Sequence, residues 1–229
     1  MVTVGILQPG YLPWLGFFEQ LAKSDVFILY DDVQYDKNGW RNRNRIKTAN
    51  GVQWLTVPVF SSLTKKTLVN ETLIDNASNW KRKHLLSIKT AYSKAPYFKN
   101  YFSIFEEAYS KDWNLLIDID IFLLKKLAAE FSIDFAKVKL SSTMDVKGDR
   151  LSRLLGICKK VGADVFYEGM AGQSYIDIDY FAVNGVKIEF QQYRHPEYGQ
   201  LHGEFIPYLS AIDLLFNYGK ESADILLGN

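Results

Sequence analysis

A single cysteine, Cys158, stands in 229 residues. No intrachain disulfide can therefore staple the fold, and a reducing compartment is the expected setting. Within Leu154-Leu155-Gly156-Ile157-Cys158 the thiol reads as a small buried hydrophobe on a helix rather than as a nucleophile. Charge of one sign is also lacking: 27 basic against 26 acidic side chains leave a formal net charge of +1. That balance gives no global pull toward nucleic acid or an anionic membrane, so any basic site must be local. Long apolar runs are missing too. Gln8 and Pro9 interrupt the first one, and Leu123-Leu124 is followed within a few residues by charge. Neither a secretion signal nor a membrane span is expected, and a cytoplasmic location is. Three phosphate and nucleophile signatures are absent: Gly-x-Gly-x-x-Gly, the P-loop Gly-Lys-Ser/Thr, and the Gly-x-Ser-x-Gly elbow. Histidine is scarce, with three residues. His195 and His202, taken with Glu197 and Glu204, match no familiar zinc spacing, and no metal is expected.

What is present is ordinary globular material, 48% hydrophobic and 23% charged, enough to bury a sizeable core. Val2–Leu7 reads as a buried strand, residues 11–23 as a helix, and Val26–Tyr30 as a second strand ending in Asp31-Asp32. Strand, helix, strand in thirty residues is a βαβ unit, which makes a parallel pair by a right-handed crossover. Asn50-Gly51 between Arg43–Thr48 and Val52–Val59 is a hairpin signal, with Pro58 at the exit of the second strand. Residues 61–66 read as a mobile polar loop. Helical spacing marks residues 79–93, 97–110 and 114–131, and a further helix spans about 149–161 before Gly162. Short strands are expected at 138–140, 164–167 and 186–193. A long loop follows at 194–208, and a helix at 210–218. The alternation predicts one α/β domain over residues 1–229, with a parallel-sheet core, a β-hairpin and a helical insertion at about 75–131.

Several clusters carry possible chemistry. Lys37–Lys47, "KNGWRNRNRIK", is the basic one: on a strand, a period of two puts Arg41, Arg43, Arg45 and Lys47 on one face and Trp40, Asn42, Asn44 and Ile46 on the other. Four cations side by side suit an anion such as phosphate, which arginine grips in a bidentate mode, or they guard a sheet edge from aggregation. Asp31 and Asp32 sit at the carboxyl end of a parallel strand, where open α/β sheets bind ligands; they are ligand contacts or counter-ions for the arginines. His84, in "WKRKHL", lies beside Lys81 and Lys83, whose charges would favour the neutral ring that a general base needs. "YEGMAGQSY", residues 167–175, follows a strand, and its Gly169 and Gly172 allow backbone N–H groups to approach a phosphate or sugar. The stretch "QPGYLPWLGFFEQL", residues 8–21, occupies the first strand-to-helix junction and is either a binding loop or aromatic core.

These blocks occur in order with "DVFILYDDVQYDKNGWRNRNRIKT", "GVQWLTVPV", "NWKRKHL", "GDRLSRLL", "GADVFYEGMAGQSYID" and "FIPYLSAIDLLFNYG". Together they resemble the WbqC-like protein family across nearly the whole chain. The resemblance implies a bacterial cytoplasmic protein of surface-polysaccharide (O-antigen or capsule) gene neighbourhoods. It also implies possible transfer of an acyl or aminoacyl group, such as glycine, to a nucleotide-activated amino sugar. The family pattern falls on Gln8, Pro9, Tyr11, Pro13, Trp14, Gly16, Asp31, Asp32, Trp40, Arg41, Asn42, Arg43, His84, Gly169, Gly172 and Tyr175. On that basis Arg41, Arg43 and Lys47 would hold phosphate, Tyr11 and Trp14 would stack on a base or sugar, and His84 or Asp32 would take a proton from the attacking amine. The cofactor is left unknown by the sequence. A non-catalytic module that binds nucleotide sugars is the alternative, with an adenylating ligase behind it. The junction is also similar, at fold level, to the HUP and nucleotidylyltransferase group. There Trp14-Leu15-Gly16-Phe17 stands in the place of that group's His-x-Gly-His, which argues against nucleotidyl transfer.

Overall fold

The computed structural model describes residues 1–37, 39–60 and 67–228. The polar segment 61–66 lies outside the described residues. Five strands form one parallel sheet: β1 (Thr3–Leu7), β2 (Val26–Leu29), β5 (Val138–Leu140), β6 (Val165–Glu168) and β7 (Lys187–Phe190), in the order β5-β2-β1-β6-β7. The pairing Val4↔Val26 and Thr3↔Val165 puts β1 at the centre. β3 (Arg43–Thr48) and β4 (Gly51–Thr56) form a separate antiparallel hairpin. The architecture is the expected α/β fold with a Rossmann- or HUP-like parallel core and a hairpin.

Alternation along the central strands assigns two cores. Val4, Ile6, Ile28 and Phe166 face α5 (Arg150–Lys160) and α6 (Ile178–Val183), and Cys158 and Phe181 pack there. Phe27 and Leu29 face the opposite way, toward α1 (Leu15–Lys23), whose Phe18 meets Phe131 at 5.0 Å between ring centroids. Burial of each such aromatic contributes roughly 2–3 kcal/mol. Strands covered on both faces explain why β1, β2 and β6 read as continuous apolar runs. Cys158 is buried, and burial pushes its thiol up to about 12.

Between β4 and β5 run α2 (Trp80–Tyr92), α3 (Phe98–Ser110) and α4 (Leu116–Glu130), on the second core. The chain closes with α7 (Ile212–Tyr218) and α8 (Ser222–Leu227). Two helix starts differ from the sequence reading. The first helix begins at Leu15, not at residue 11, because Leu12 takes a positive φ of 48° and Trp14 is extended. The last long helix begins at Ile212, since Ser210 is held in a bridge with Trp14.

Candidate functional site

The strand order places a topological switch at the centre of the sheet. From β1 the chain moves out through β2 to β5, then returns to the other side of β1 for β6 and β7. Connections therefore leave the carboxyl ends of β1 and β6 in opposite directions and open a crevice there, the usual ligand position in such sheets. A cavity of about 500 Å³ occupies it, walled by Gln8, Trp14, Trp40, Arg41, Arg45 and Tyr208. A smaller lobe of about 270 Å³ shares Leu7, Trp14 and Phe17 with it and adds Gly169, Met170 and Gln191.

Residues 8–14 form the floor because the hairpin holds them. Arg41 Nη1 donates to the carbonyls of Gln8 (2.8 Å) and Pro9 (3.2 Å), and the Tyr11 N–H donates to the Arg41 carbonyl (2.9 Å). Asn44 Nδ2 donates to the carbonyl of the left-handed Leu12 at 2.7 Å. Asn42 Nδ2 is spent on the Val57 carbonyl at 2.8 Å. Thus Asn42 is a buried pin, while Asn44 and Arg41 join pinning to a place on the cavity wall. Burial lowers the Arg41 pKa, opposed by Asp120 and Asp36. Asp120 is itself buried, which raises its carboxyl well above the usual range while Arg41 pulls it down, and neither of its oxygens has a hydrogen-bond partner.

Trp14 is the wall common to both lobes, and Gly16 sets its position. A Cβ on Gly16 would lie 2.2 Å from the Trp14 ring. Gly16→Ala is expected to push the indole off the wall at a cost of about 1–3 kcal/mol from overpacking. A blue or red shift of tryptophan emission together with a lowered urea midpoint would register it; an unchanged spectrum and midpoint would contradict this packing.

Other residues named by the sequence lie elsewhere. Tyr11 is fully buried rather than open for stacking: its hydroxyl donates to His84 Nδ1 at 2.9 Å and pairs with the Tyr109 hydroxyl. The Thr56 carbonyl is the other partner of the His84 ring. Burial takes His84 from the ordinary 6.5 to about 4, so the ring is neutral as the sequence suggests, but desolvation rather than neighbouring lysines is the cause. Lys47 is 1% exposed, and its ammonium donates to Gln200 Oε1 (3.2 Å) and to the carbonyls of Gly203 (3.1 Å) and Glu204. With those acceptors occupied, it clamps the 194–208 segment instead of facing the cavity. Trp40 lies on the arginine side of the hairpin, not opposite it: Arg45 sits 5.3 Å from its ring. The strand begins only at Arg43, so the alternation does not extend back to Trp40.

Asp31 and Asp32 are anchored away from the hairpin arginines. Asp31 accepts from Ser142 N (2.9 Å), Ser142 Oγ (2.6 Å) and Ser141 Oγ (3.0 Å), tying β2 to the turn after β5. Asp32 is ion-paired with Arg153, not with Arg41 or Arg43. Asp32 lines a separate cavity of about 400 Å³ that includes Ser142, Gly148 and Arg153 and shares no wall residue with the first, and Asp31 lies buried behind Ser142.

At the end of β6 stands a residue that the sequence reading passes over. Glu168 is buried, accepts from the Tyr175 hydroxyl at 3.0 Å, and burial raises its carboxyl to about 7. Gly172 makes room for it, since a Cβ there would lie 2.3 Å from Glu168 Cγ. Arg150 covers the Tyr175 ring at 4.8 Å. Gly169, the next residue, lines the smaller lobe. The signal lay in a carboxylate that closes an apolar strand immediately before a glycine. His195 is stacked on Trp14 at 6.4 Å and 11°, and the His202 ring nitrogen bonds the Ala91 carbonyl at 2.8 Å. Among the described residues, no group of three His, Cys, Asp or Glu side chains is arranged to hold a metal ion.

Residues 8–225 match the WbqC-like protein family, which takes in every wall of the cavity except Leu7. The chain belongs to that family. It is also similar to the uncharacterized protein Rv1507c of Mycobacterium tuberculosis, with 34% identity over 229 residues covering 99% of this chain and 98% of that protein. No solved structure matches the chain. In this WbqC-like fold, no helix among the described residues is long and apolar enough to cross a membrane.

Proposed function

We propose that this WbqC-like protein is a transferase of bacterial surface-polysaccharide assembly, which binds a nucleotide-linked amino sugar at the switch-point cavity and directs acyl or aminoacyl transfer to its amine. The observation that carries this reading is one cavity that combines two arginines, Arg41 and Arg45, with Trp14, Trp40 and Tyr208 and has no carboxylate on its wall. Arginines on a wall that carries no carboxylate suit phosphate, with Asp36 and Asp120 acting on Arg41 from off the wall, and the aromatic walls suit the flat faces of a base or sugar. Arg41 is held by the Gln8 and Pro9 carbonyls, so its fork is set before any ligand arrives.

In the reaction, the amine nitrogen forms a bond to the acyl carbon, the donor's leaving group departs with its electron pair, and the amine gives up a proton. Glu168 suits the proton step better than His84, because its carboxyl changes state near neutral pH and the residue adjoins Gly169 on the smaller lobe. His84 keeps its acceptor nitrogen on Tyr11, and Asp32 keeps its charge on Arg153. Positioning of the two reactants supplies much of the rate in such a transfer.

The test is a thermal-shift panel of UDP-, GDP- and dTDP-linked amino sugars on wild type and Arg45→Ala. A ligand present at a hundred times its Kd stabilises by about 2.7 kcal/mol, a rise of several degrees in a chain of this size. That rise is expected in wild type and should be lost in Arg45→Ala, whose Nη2 otherwise donates to the Tyr208 carbonyl at 3.0 Å. Flat melting temperatures throughout the wild-type panel would remove the proposal.

A further inference from the structure

Trp40, just before the hairpin, and Trp54, on β4, form an exposed aromatic pair at the edge of the cavity. Trp40 and Trp54 are each 45% exposed, and their ring centroids lie 5.1 Å apart with planes inclined by 35°. Cross-strand register puts Trp54 on the arginine face, since Arg45 and Trp54 are directly opposite on β3 and β4, and Trp40 joins it from the segment before β3. Arg43 stands 4.9 Å from the Trp54 ring, and Arg45 stands 5.8 Å from Trp54 and 5.3 Å from Trp40. Two large rings left in water beside two cations are costly unless something covers them. Trp40 and Arg45 also form part of the cavity wall, so this surface continues the cavity outward onto the hairpin.

We infer that Trp40 and Trp54 form a stacking platform for the nucleobase of a nucleoside diphosphate whose phosphates lie at Arg45. The inference rests on the phosphate-binding reading above and adds Trp54, which lies outside the cavity wall. A base fits this surface better than a sugar ring does. Sugar hydroxyls need acceptors, and the charged groups beside the two rings are arginines, which only donate, whereas the cavity beyond them is lined by the Gln8 amide. A planar base needs only π faces and tolerates neighbouring guanidinium groups, which stack and attract its electron-rich ring. The order of groups, aromatic pair and then arginine and then cavity, is the order of base, phosphates and sugar.

The experiment is a titration of wild type, Trp54→Ala, Trp54→Phe and Arg45→Ala with UDP, GDP, dTDP, ADP and, as a probe without a base, inorganic pyrophosphate. Binding is read by calorimetry and by quenching of tryptophan emission. At least one nucleoside diphosphate should quench wild type, bind about tenfold more weakly to Trp54→Ala, and bind Trp54→Phe within a few-fold of wild type. Pyrophosphate should bind wild type and Trp54→Ala equally. Because Trp54 is on the exposed face, its variants should melt with wild type. If nucleoside diphosphates bind Trp54→Ala as they bind wild type but fail on Arg45→Ala, the platform is refuted and the phosphate site stands. If neither pyrophosphate nor any nucleoside diphosphate binds wild type, both the platform and the reading beneath it fall.

Discussion

Lys47→Met should lose about 3–5 kcal/mol of stability, the range for removing one partner from a buried charged cluster. The methylene stem is replaced almost atom for atom, so packing is preserved and the loss reports the ammonium. Its removal strips a donor from Gln200 Oε1 and from the Gly203 and Glu204 carbonyls. It also takes away the positive charge near Asp213, a buried carboxyl that Tyr92 (2.9 Å) and Tyr198 (3.1 Å) already hydrogen-bond. Burial raises the Asp213 pKa, and Lys47 is among the groups that bring it down. Equilibrium urea unfolding measures the loss. Adding Asp213→Asn to Lys47→Met should restore part of it, because the uncompensated charge is then gone. A Lys47→Met midpoint equal to that of wild type would show that the clamp holds nothing.

The second large effect is a dependence on pH. His84 falls from the ordinary 6.5 to about 4 on folding, so the unfolded chain takes up its proton first as the solution is acidified. The sign follows from that order: the contribution of the neutral ring is whole above pH 6.5, declines as pH drops, and is exhausted below about 4. The span amounts to about 3 kcal/mol by proton linkage. Glu168 works in the opposite direction, since a carboxyl raised to about 7 stabilises most below the ordinary 4.5 and loses that contribution as pH rises through 7. The two windows overlap, and so the comparison is between wild type and His84→Gln, in which Glu168 cancels. Glutamine can still accept from Tyr11 and donate toward Thr56. The stability advantage of wild type should therefore shrink by about 3 kcal/mol between pH 6.5 and 4. Parallel curves for the two proteins over that interval would mean that the ring titrates freely.

The parallel core, the hairpin and the three middle helices were legible because each rests on a period that local residues declare. β3 and β4 end at Thr48 and begin at Gly51, beside the Asn-Gly signal, and α2 to α4 fall within a few residues of their spacing. α6 and α8 were not, because six residues are under two turns and show no recurring face. At the site, alternation was right about which side of the strand Lys47 occupies and silent about what covers it. The cover arrives with residues 200–204, some 150 positions later. Tyr11 has the same history: its place in an aromatic-rich junction suggests stacking, but α2 and α3 bring His84 and Tyr109 onto its hydroxyl. Glu168 needed the fold as well, since only burial separates it from any other carboxylate.

One consequence of the cavity concerns time rather than space. Its walls come from residues 7–20, 40–45, 169–171, 191–193 and 208, and the floor is closed by Ser210 bridging Trp14 and by Ala211 N–H on the Pro13 carbonyl at 2.9 Å. During synthesis residues 7–20 and 40–45 emerge early, and the residues of the second lobe, beginning at Gly169, follow more than a hundred positions later. A ligand that spans both lobes therefore finds its site only after residues 169–171, 191–193 and 208 have joined the arginine wall.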